Sequence, residues 1–161
     1  MDNLPDPQSD VEGRFRKQDW PYYWITRTSA RYFLTMEKRL KPVGLDVPRW
    51  RVLMSLYEDE YLSVSEISDL CIIKLNTATK IIQRMMADGL VTTRSRPSDA
   101  RVTEVTLTAL GDARRKEARA IADEVFAASF GDFTTDEREV LNSLLQRVFT
   151  RLGELQGRGE P

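Results

Sequence analysis

Apolar positions recur at helical spacing along most of this chain and alternate in one place, between residues 90 and 107. From Pro21 to about Lys41, the positions Trp24, Thr28, Arg31, Tyr32, Met36 and Leu40 follow a period near 3.6, with Tyr23, Phe33 and Leu34 widening the stripe. Pro21 suits a first helical turn, and Pro42 and Gly44 end the pattern. Asp46 is a good N-cap for a second helix, with Pro48 tolerated in its first turn and Trp50, Leu53, Met54 and Tyr57 on one face. Ser63-x-x-Glu66 has the form of a capping box. It opens a short helix from about Val64 to Leu70, with Ile67 and Leu70 expected to point inward, and Cys71 to Ile73 reads as a turn. The next helix is predicted from about Lys74 to Asp88. Its apolar residues Ala78, Ile81, Ile82 and Met85 are spaced i, i+3, i+4, i+7, and Asp88-Gly89 ends it with a left-handed cap.

Leu90 to Arg96 and Val102 to Leu107 alternate as strands around the turn chemistry of Pro97-Ser98-Asp99-Ala100. The expectation is a two-stranded hairpin with a basic tip. A long helix is predicted from about Ala109 to Phe130, with an apolar seam of Leu110, Ala113, Ala118, Ile121, Ala122, Val125 and Phe126. Gly131 breaks it, and Thr134-x-x-Glu137 is a second capping box. The last helix carries Val140, Leu141, Leu144, Leu145, Val148, Phe149 and Leu152.

Charge changes the picture locally rather than globally. The chain has 161 residues, 41% of them hydrophobic, which fits one domain with a core. Its net charge is −1 and its pI about 5.6, so the overall balance does not announce a nucleic-acid partner. Between Lys74 and Arg101, however, Lys74, Lys80, Arg84, Arg94, Arg96 and Arg101 face only Asp88 and Asp99, a local balance of +4. There is no histidine and one cysteine, Cys71. A Ser-His-Asp triad is therefore excluded, as are the usual Cys/His zinc sites. A lone cysteine makes no intramolecular disulfide, which fits a reducing cytoplasm. Cys71, beside Ile72 and Ile73, is expected to be a buried, inert thiol, with redox sensing the lesser alternative. No apolar run approaches the ~20 residues that span a bilayer. The acidic start, MDNLPDPQSDVEG, is no signal peptide and reads as a flexible tail. These features lead to the expectation of a cytoplasmic protein that is not an enzyme, needs no cofactor or metal and meets no membrane.

The helix over Lys74 to Asp88 carries the strongest functional signal. With its apolar residues inward, Asn76, Thr77, Thr79, Lys80, Gln83 and Arg84 face solvent. Asn and Gln pair with adenine, Arg and Lys with guanine, and the Thr methyl meets thymine. A solvated amphipathic face is the bland alternative. The capped helix before it and the basic hairpin after it favour a helix lying in a DNA major groove. The hairpin adds Arg94, Arg96 and Arg101, suited to phosphate and narrow minor-groove contacts. Asp99, two residues before Arg101, is placed to brace it.

At these residues the chain resembles the MarR family of winged helix-turn-helix regulators. NTATKIIQRMMADGLV resembles the family's recognition helix, and DARVTEVTLTALG its wing, with a D-x-R pair and a closing L-T-x-x-G. The resemblance runs from about Pro21 to Leu152 and is strongest from Ser63 to Gly111. It implies a mainly α fold: a winged helix-turn-helix with long N- and C-terminal dimerisation helices and one two-stranded β-hairpin wing. The corresponding division is a flexible tail over 1–18, an N-terminal dimerisation helix over 19–45, a DNA-binding region over 46–108, C-terminal dimerisation helices over 109–155 and a frayed tail over 156–161. It also implies a homodimer on pseudo-palindromic double-stranded DNA, and transcriptional control, usually repression relieved by a ligand or by oxidation. Asn76, Thr77, Thr79, Lys80 and Arg84 fall on the family's groove-facing positions, and Asp99 and Arg101 on its wing pair. Met86 departs from a common acidic residue, and the first helix lacks the cysteine of some redox-sensing members.

The first helix is dense in aromatics, and Trp50 is flanked by Arg49 and Arg51. Aromatic walls with cations suit a flat anion such as an aromatic carboxylate. Tyr23, Trp24, Arg27, Arg31 and Trp50 are the candidate lining, against the plainer reading of core or dimer interface. The acidic pI also leaves open a protein-binding anti-activator that keeps the winged fold without binding DNA.

Overall fold

A computed structural model describes residues 16–157. The expected tail lies mostly outside these residues, and within them Lys17–Asp19 forms a single 3-10 turn. Six α-helices follow among the described residues: α1 (Pro21–Leu40), α2 (Val47–Ser55), α3 (Val64–Cys71), α4 (Leu75–Ala87), α5 (Ala109–Phe130) and α6 (Thr135–Gly157). Three short strands complete the order: β1 (Leu62–Ser63), β2 (Val91–Arg96) and β3 (Asp99–Leu107). The chain divides into two compact units, one ending at Ala122 within α5 and one beginning at Asp123.

The first unit is organised around Met36 and Leu40 of α1, Val52 and Leu53 of α2, Ile67 of α3, Met85 of α4 and Val105 of β3, all fully buried. The helix starts are fixed by side chains that answer unpaired backbone N–H groups. The Asp46 carboxylate accepts from Arg49 N at 2.9 Å. Ser63 Oγ accepts from Glu66 N at 3.1 Å, and Glu66 Oε2 accepts from Ser63 N at 2.6 Å, so the capping box is complete. At the base of α5, Thr108 Oγ1 donates to the Gly89 carbonyl at 2.6 Å and accepts from Gly111 N at 3.0 Å. Here α5 presses on the entry to β2. A Cβ at Gly111 would lie 1.9 Å from the Leu90 carbonyl oxygen, so only glycine fits.

The sheet has a strand more than the sequence pattern predicts. Its order is β1-β3-β2, with Leu62 paired to Val105 and Ser63 to Glu104. Two residues are too few for an alternation to show, which is why β1 escapes pattern reading. The hairpin turn is also tighter than expected, because β3 begins at Asp99, with an irregular register at Ser95/Arg96.

Leu70 departs from expectation as well: it is 58% exposed, while Cys71 is buried at the end of α3. An eight-residue helix has room for one narrow inward stripe, and Ile67, Ser68 and Cys71 occupy it. The turn to α4 then passes through Ile72 in the left-handed region, at φ 50° and ψ 53°. This conformation crowds Cβ against the following carbonyl, at a cost of roughly 1–2 kcal/mol for an L-residue.

In the second unit α6 buries none of its residues. Val140, Leu144, Leu145, Phe149, Leu152 and Leu155 are all exposed. Phe126, Phe130 and Phe133 form a ring-to-ring chain with centroids 5.4 and 5.2 Å apart, and the Arg138 guanidinium lies 5.6 Å from the Phe126 ring. No described helix is long and apolar enough to cross a membrane.

The left-handed turn makes a direct stability prediction. The Ile72 side chain is 64% exposed, so shortening it forfeits little burial. Ile72→Gly should raise stability by up to about 1 kcal/mol, the relief of strain less the added entropy of glycine in the unfolded chain. A higher urea midpoint would bear this out, and a lower one would refute the strain.

Candidate nucleic-acid interface

Packing against α2 and α3 sets the direction of α4. Ala78, Ile81, Ile82 and Met85 are buried, and the rest of the helix surface turns outward. Asn76, Thr77, Lys80, Gln83 and Arg84 are exposed and Thr79 is half-buried. The Thr79 hydroxyl is engaged within the helix, donating to the Leu75 carbonyl at 2.9 Å. Among the described residues Lys74, Lys80 and Arg84 enter no ion pair. The far end of α4 is tied down: Arg49 Nη2 meets Asp88 Oδ2 at 3.1 Å, joining the start of α2 to the cap of α4. Gly89 then takes φ +72° and lets the chain reverse into β2.

The hairpin is held by a carboxylate that charge counting by sequence position overlooks. Glu104 stands opposite Arg94 across the β2–β3 ladder and is 6% exposed. Its two oxygens accept from Arg94 Nε at 3.0 Å and from Arg96 Nε at 2.7 Å. Arg96 Nη2 also reaches Glu66 of α3, at 3.0 and 2.9 Å from the two carboxylate oxygens. The Arg94 guanidinium lies 3.3 Å from the Tyr61 ring centroid. Both arginines are thus engaged inside the chain, and the local excess of positive charge is smaller than the residues from Lys74 to Arg101 suggest. Glu66 and Glu104 flank that interval in sequence, and only the sheet brings them to it.

Arg101 behaves differently. Its side chain is 90% exposed, and Nε and Nη2 each meet an Asp99 oxygen at 3.0 Å. Asp99 also accepts from Arg101 N at 3.1 Å. The pair forms a fork at the hairpin tip, with a guanidinium whose direction is set but whose outer surface is open to solvent. The same contacts hold the Asp99 carboxyl below its ordinary value. Ser63 chiefly, with Arg96, lowers Glu66, while Arg96 and then Arg94 lower Glu104. Burial pushes the Cys71 thiol up, against a weaker opposing pull from Arg51, so the thiolate that redox chemistry needs is disfavoured.

The five candidate ligand residues are not brought into one cluster. The rings of Tyr23 and Trp24 meet edge to face at 5.0 Å, with Arg27 over Tyr23 at 5.1 Å. Arg31 is exposed. Trp50 is buried and meets the Tyr32 ring at 5.8 Å instead. Cavities of about 440 and 360 Å³ are lined respectively by residues around Phe126 and Arg138 and by residues around Tyr57 and Arg115, and by none of the five. The buried Trp50 Nε1 finds no hydrogen-bond partner among the described residues, a feature that sequence alone does not reveal.

Comparison with known proteins places this geometry. The model of the MarR family matches residues 43–102. The chain is 45% identical over 150 residues to the HTH-type transcriptional repressor IacR of Pseudomonas putida, covering 93% of this chain and 88% of that protein. Among solved structures, a cysteine-to-serine variant of MarR from E. coli complexed with operator DNA superposes with a TM-score of 0.69 at 22% identity, over 77% of this chain and 89% of that one. BpsR of Bordetella bronchiseptica, described for regulation of its DNA binding by 6-hydroxynicotinic acid, gives 0.74 at 23% identity, over 84% and 97%. At these identities the two structures show the fold alone.

The lowered carboxyls of Glu66 and Glu104 make the hairpin anchor acid-sensitive. A carboxylate with a depressed folded-state pKa contributes its full stability above the unfolded value, about 4.3 for Glu, and loses it as pH falls through the folded value. The melting temperature should therefore fall as the medium is acidified below about pH 4. Glu104→Gln should be less stable than the parent at neutral pH and show a shallower acid decline. A parallel decline in both proteins would remove the anchoring role.

Proposed function

The chain belongs to the MarR family of transcriptional regulators, and on that premise we propose that it is a sequence-specific DNA-binding repressor working as a homodimer on a pseudo-palindromic operator. The observation that carries this reading is the two-sided character of α4: one side seated in the core, the other exposing Asn76, Thr77, Lys80, Gln83 and Arg84. The similarity to IacR, a transcriptional repressor, and to MarR in complex with operator DNA supports it. Asn76, Thr77, Thr79, Lys80, Gln83 and Arg84 read base edges or neighbouring phosphates. Arg101, aimed by Asp99, contacts the backbone beside the groove. Arg94 and Arg96, given their internal partners, serve the interface chiefly by holding the wing in place and add field rather than free contacts.

One winged helix reads a half-site, and a two-fold pair sets the half-sites about 34 Å apart, one turn of DNA. The exposed apolar side of α6 is the surface that a second copy would cover. The proposed effector is a small aromatic carboxylate at the outer end of α1, where Tyr23, Trp24 and Arg27 meet and Arg31 lies one turn further on; Trp50, buried against Tyr32, stands apart from it. The 6-hydroxynicotinic acid response of BpsR supports the chemical class.

Duplex binding should weaken steeply with salt, log K falling by about 0.9 per log unit of salt for each phosphate neutralised. Arg101→Ala should weaken binding on all sequences and reduce that slope by about 1. Asn76→Ala or Arg84→Ala should instead relax base choice, at about 1–3 kcal/mol on the preferred site. A protein that binds no duplex from its own promoter in dilute buffer would fit the protein-binding reading instead. Light scattering at micromolar concentration should give a dimer, and a monomer would defeat the two-fold model. Benzoic, phenolic and cinnamic acids should quench tryptophan fluorescence and release DNA. Unchanged fluorescence and DNA affinity with all of them would defeat the effector assignment.

A further inference from the structure

The outward surface of α4 is not uniformly polar. Leu75, its first residue, is 54% exposed. At 3.6 residues per turn, Thr79 follows it on the same flank, with Met86, 42% exposed, at the far end. The hydroxyl proton of Thr79 is donated to the Leu75 carbonyl, so this residue brings no free donor to the flank. This flank therefore presents carbon, while Asn76, Lys80 and Gln83 at the centre and Thr77 and Arg84 on the other flank carry the donors and acceptors. In the major groove one base feature answers a side chain with no donor or acceptor: the C5-methyl group of thymine. Leu75 sits at the end of α4 that enters the groove in helix-turn-helix docking, next to Lys74.

We propose that Leu75 is a specificity-determining residue that packs on a thymine methyl in each half-site, with the Thr79 methyl beside it. This rests on the DNA-reading function proposed above, and the two are separable by experiment. The probe is a duplex that the full-length protein enriches from a randomised pool. Each thymine is then replaced singly by deoxyuridine, which removes the methyl and keeps the base-pairing edge. Affinity should fall about fourfold at one thymine per half-site, the effect of one methyl-sized group leaving a buried contact. Leu75→Ala, whose exposed position leaves the fold and its melting temperature unchanged, should bind the thymine and deoxyuridine duplexes equally. A parent protein indifferent to deoxyuridine at every position overturns the role of Leu75, as does a Leu75→Ala protein that keeps the parent's sensitivity, and either leaves DNA reading intact. Failure to enrich any duplex overturns the DNA reading itself, and this inference with it.

Discussion

Glu104 is the point from which the geometry of the interface follows. A carboxylate that is 6% exposed is tolerated only when its charge is answered by close partners. Here Arg94 and Arg96 answer it from the neighbouring strand, and Arg96 extends the chain of contacts to Glu66. Glu66 in turn accepts from the backbone N–H of Ser63 at the start of α3. One network thus joins the wing, the edge strand and the first helix of the helix-turn-helix. The turn after α3 leads directly into α4, and Arg49 secures the other end of that helix through Asp88. Wing and α4 are placed relative to each other because both are fixed to α3 and α2.

That arrangement redistributes charge. With a net charge of −1, the chain as a whole exerts no long-range attraction on phosphate. Within the hairpin all three arginines meet carboxylates, Arg94 and Arg96 inside the chain and Arg101 at the exposed tip. The cations that remain outward are Lys74 at the N-cap of α4, Lys80 and Arg84 on that helix, and Arg101, paired with Asp99, at the tip. A field of this kind acts over about a Debye length, ~8 Å at physiological salt, so it favours a docked complex over loose association. In the proposed complex, discrimination then falls to the side chains on α4, including the apolar flank at Leu75.

Elements with strong local signals are legible in the amino-acid order itself. The capping boxes at Ser63 and Thr134, the left-handed stop at Gly89 and the limits of α5 each rest on contacts between residues near in sequence. The features that escape it depend on pairing across distance. β1 is a strand because β3 lies beside it, not because of any pattern of its own. Leu70 looks like a core residue in a helical template but lies outside the narrow stripe that α3 buries. Arg94 and Arg96 look free in sequence because their partners are remote along the chain: Glu104 is 10 residues from Arg94, and Glu66 is 30 from Arg96. Aromatic density in α1 marks an unusual surface, yet composition does not tell that Trp50 turns to Tyr32 rather than to Tyr23 and Trp24.

α1 is the element that joins the core beneath α4 to the aromatic surface proposed for the effector. Its 20 residues span about 30 Å at 1.5 Å per residue. Met36 and Leu40 near one end are fully buried in the core that seats α4, while Trp20 and Trp24 near the other are more than half exposed. In the proposed effector response, a continuous helix with one end in that core would carry a change at its aromatic end toward α4 without unfolding anything between. An aromatic acid held there alters DNA affinity only if it binds one spacing of the two recognition helices better than the other, and the shift cannot exceed that difference in affinity. Moving a dimer from almost wholly DNA-competent to almost wholly incompetent takes a preference of about 10⁴. A single ion pair at exposed Arg27 or Arg31 supplies too little for that. A switch of that size would therefore require burial of the ligand's ring as well, which is the contribution that an aromatic-rich helix is equipped to make.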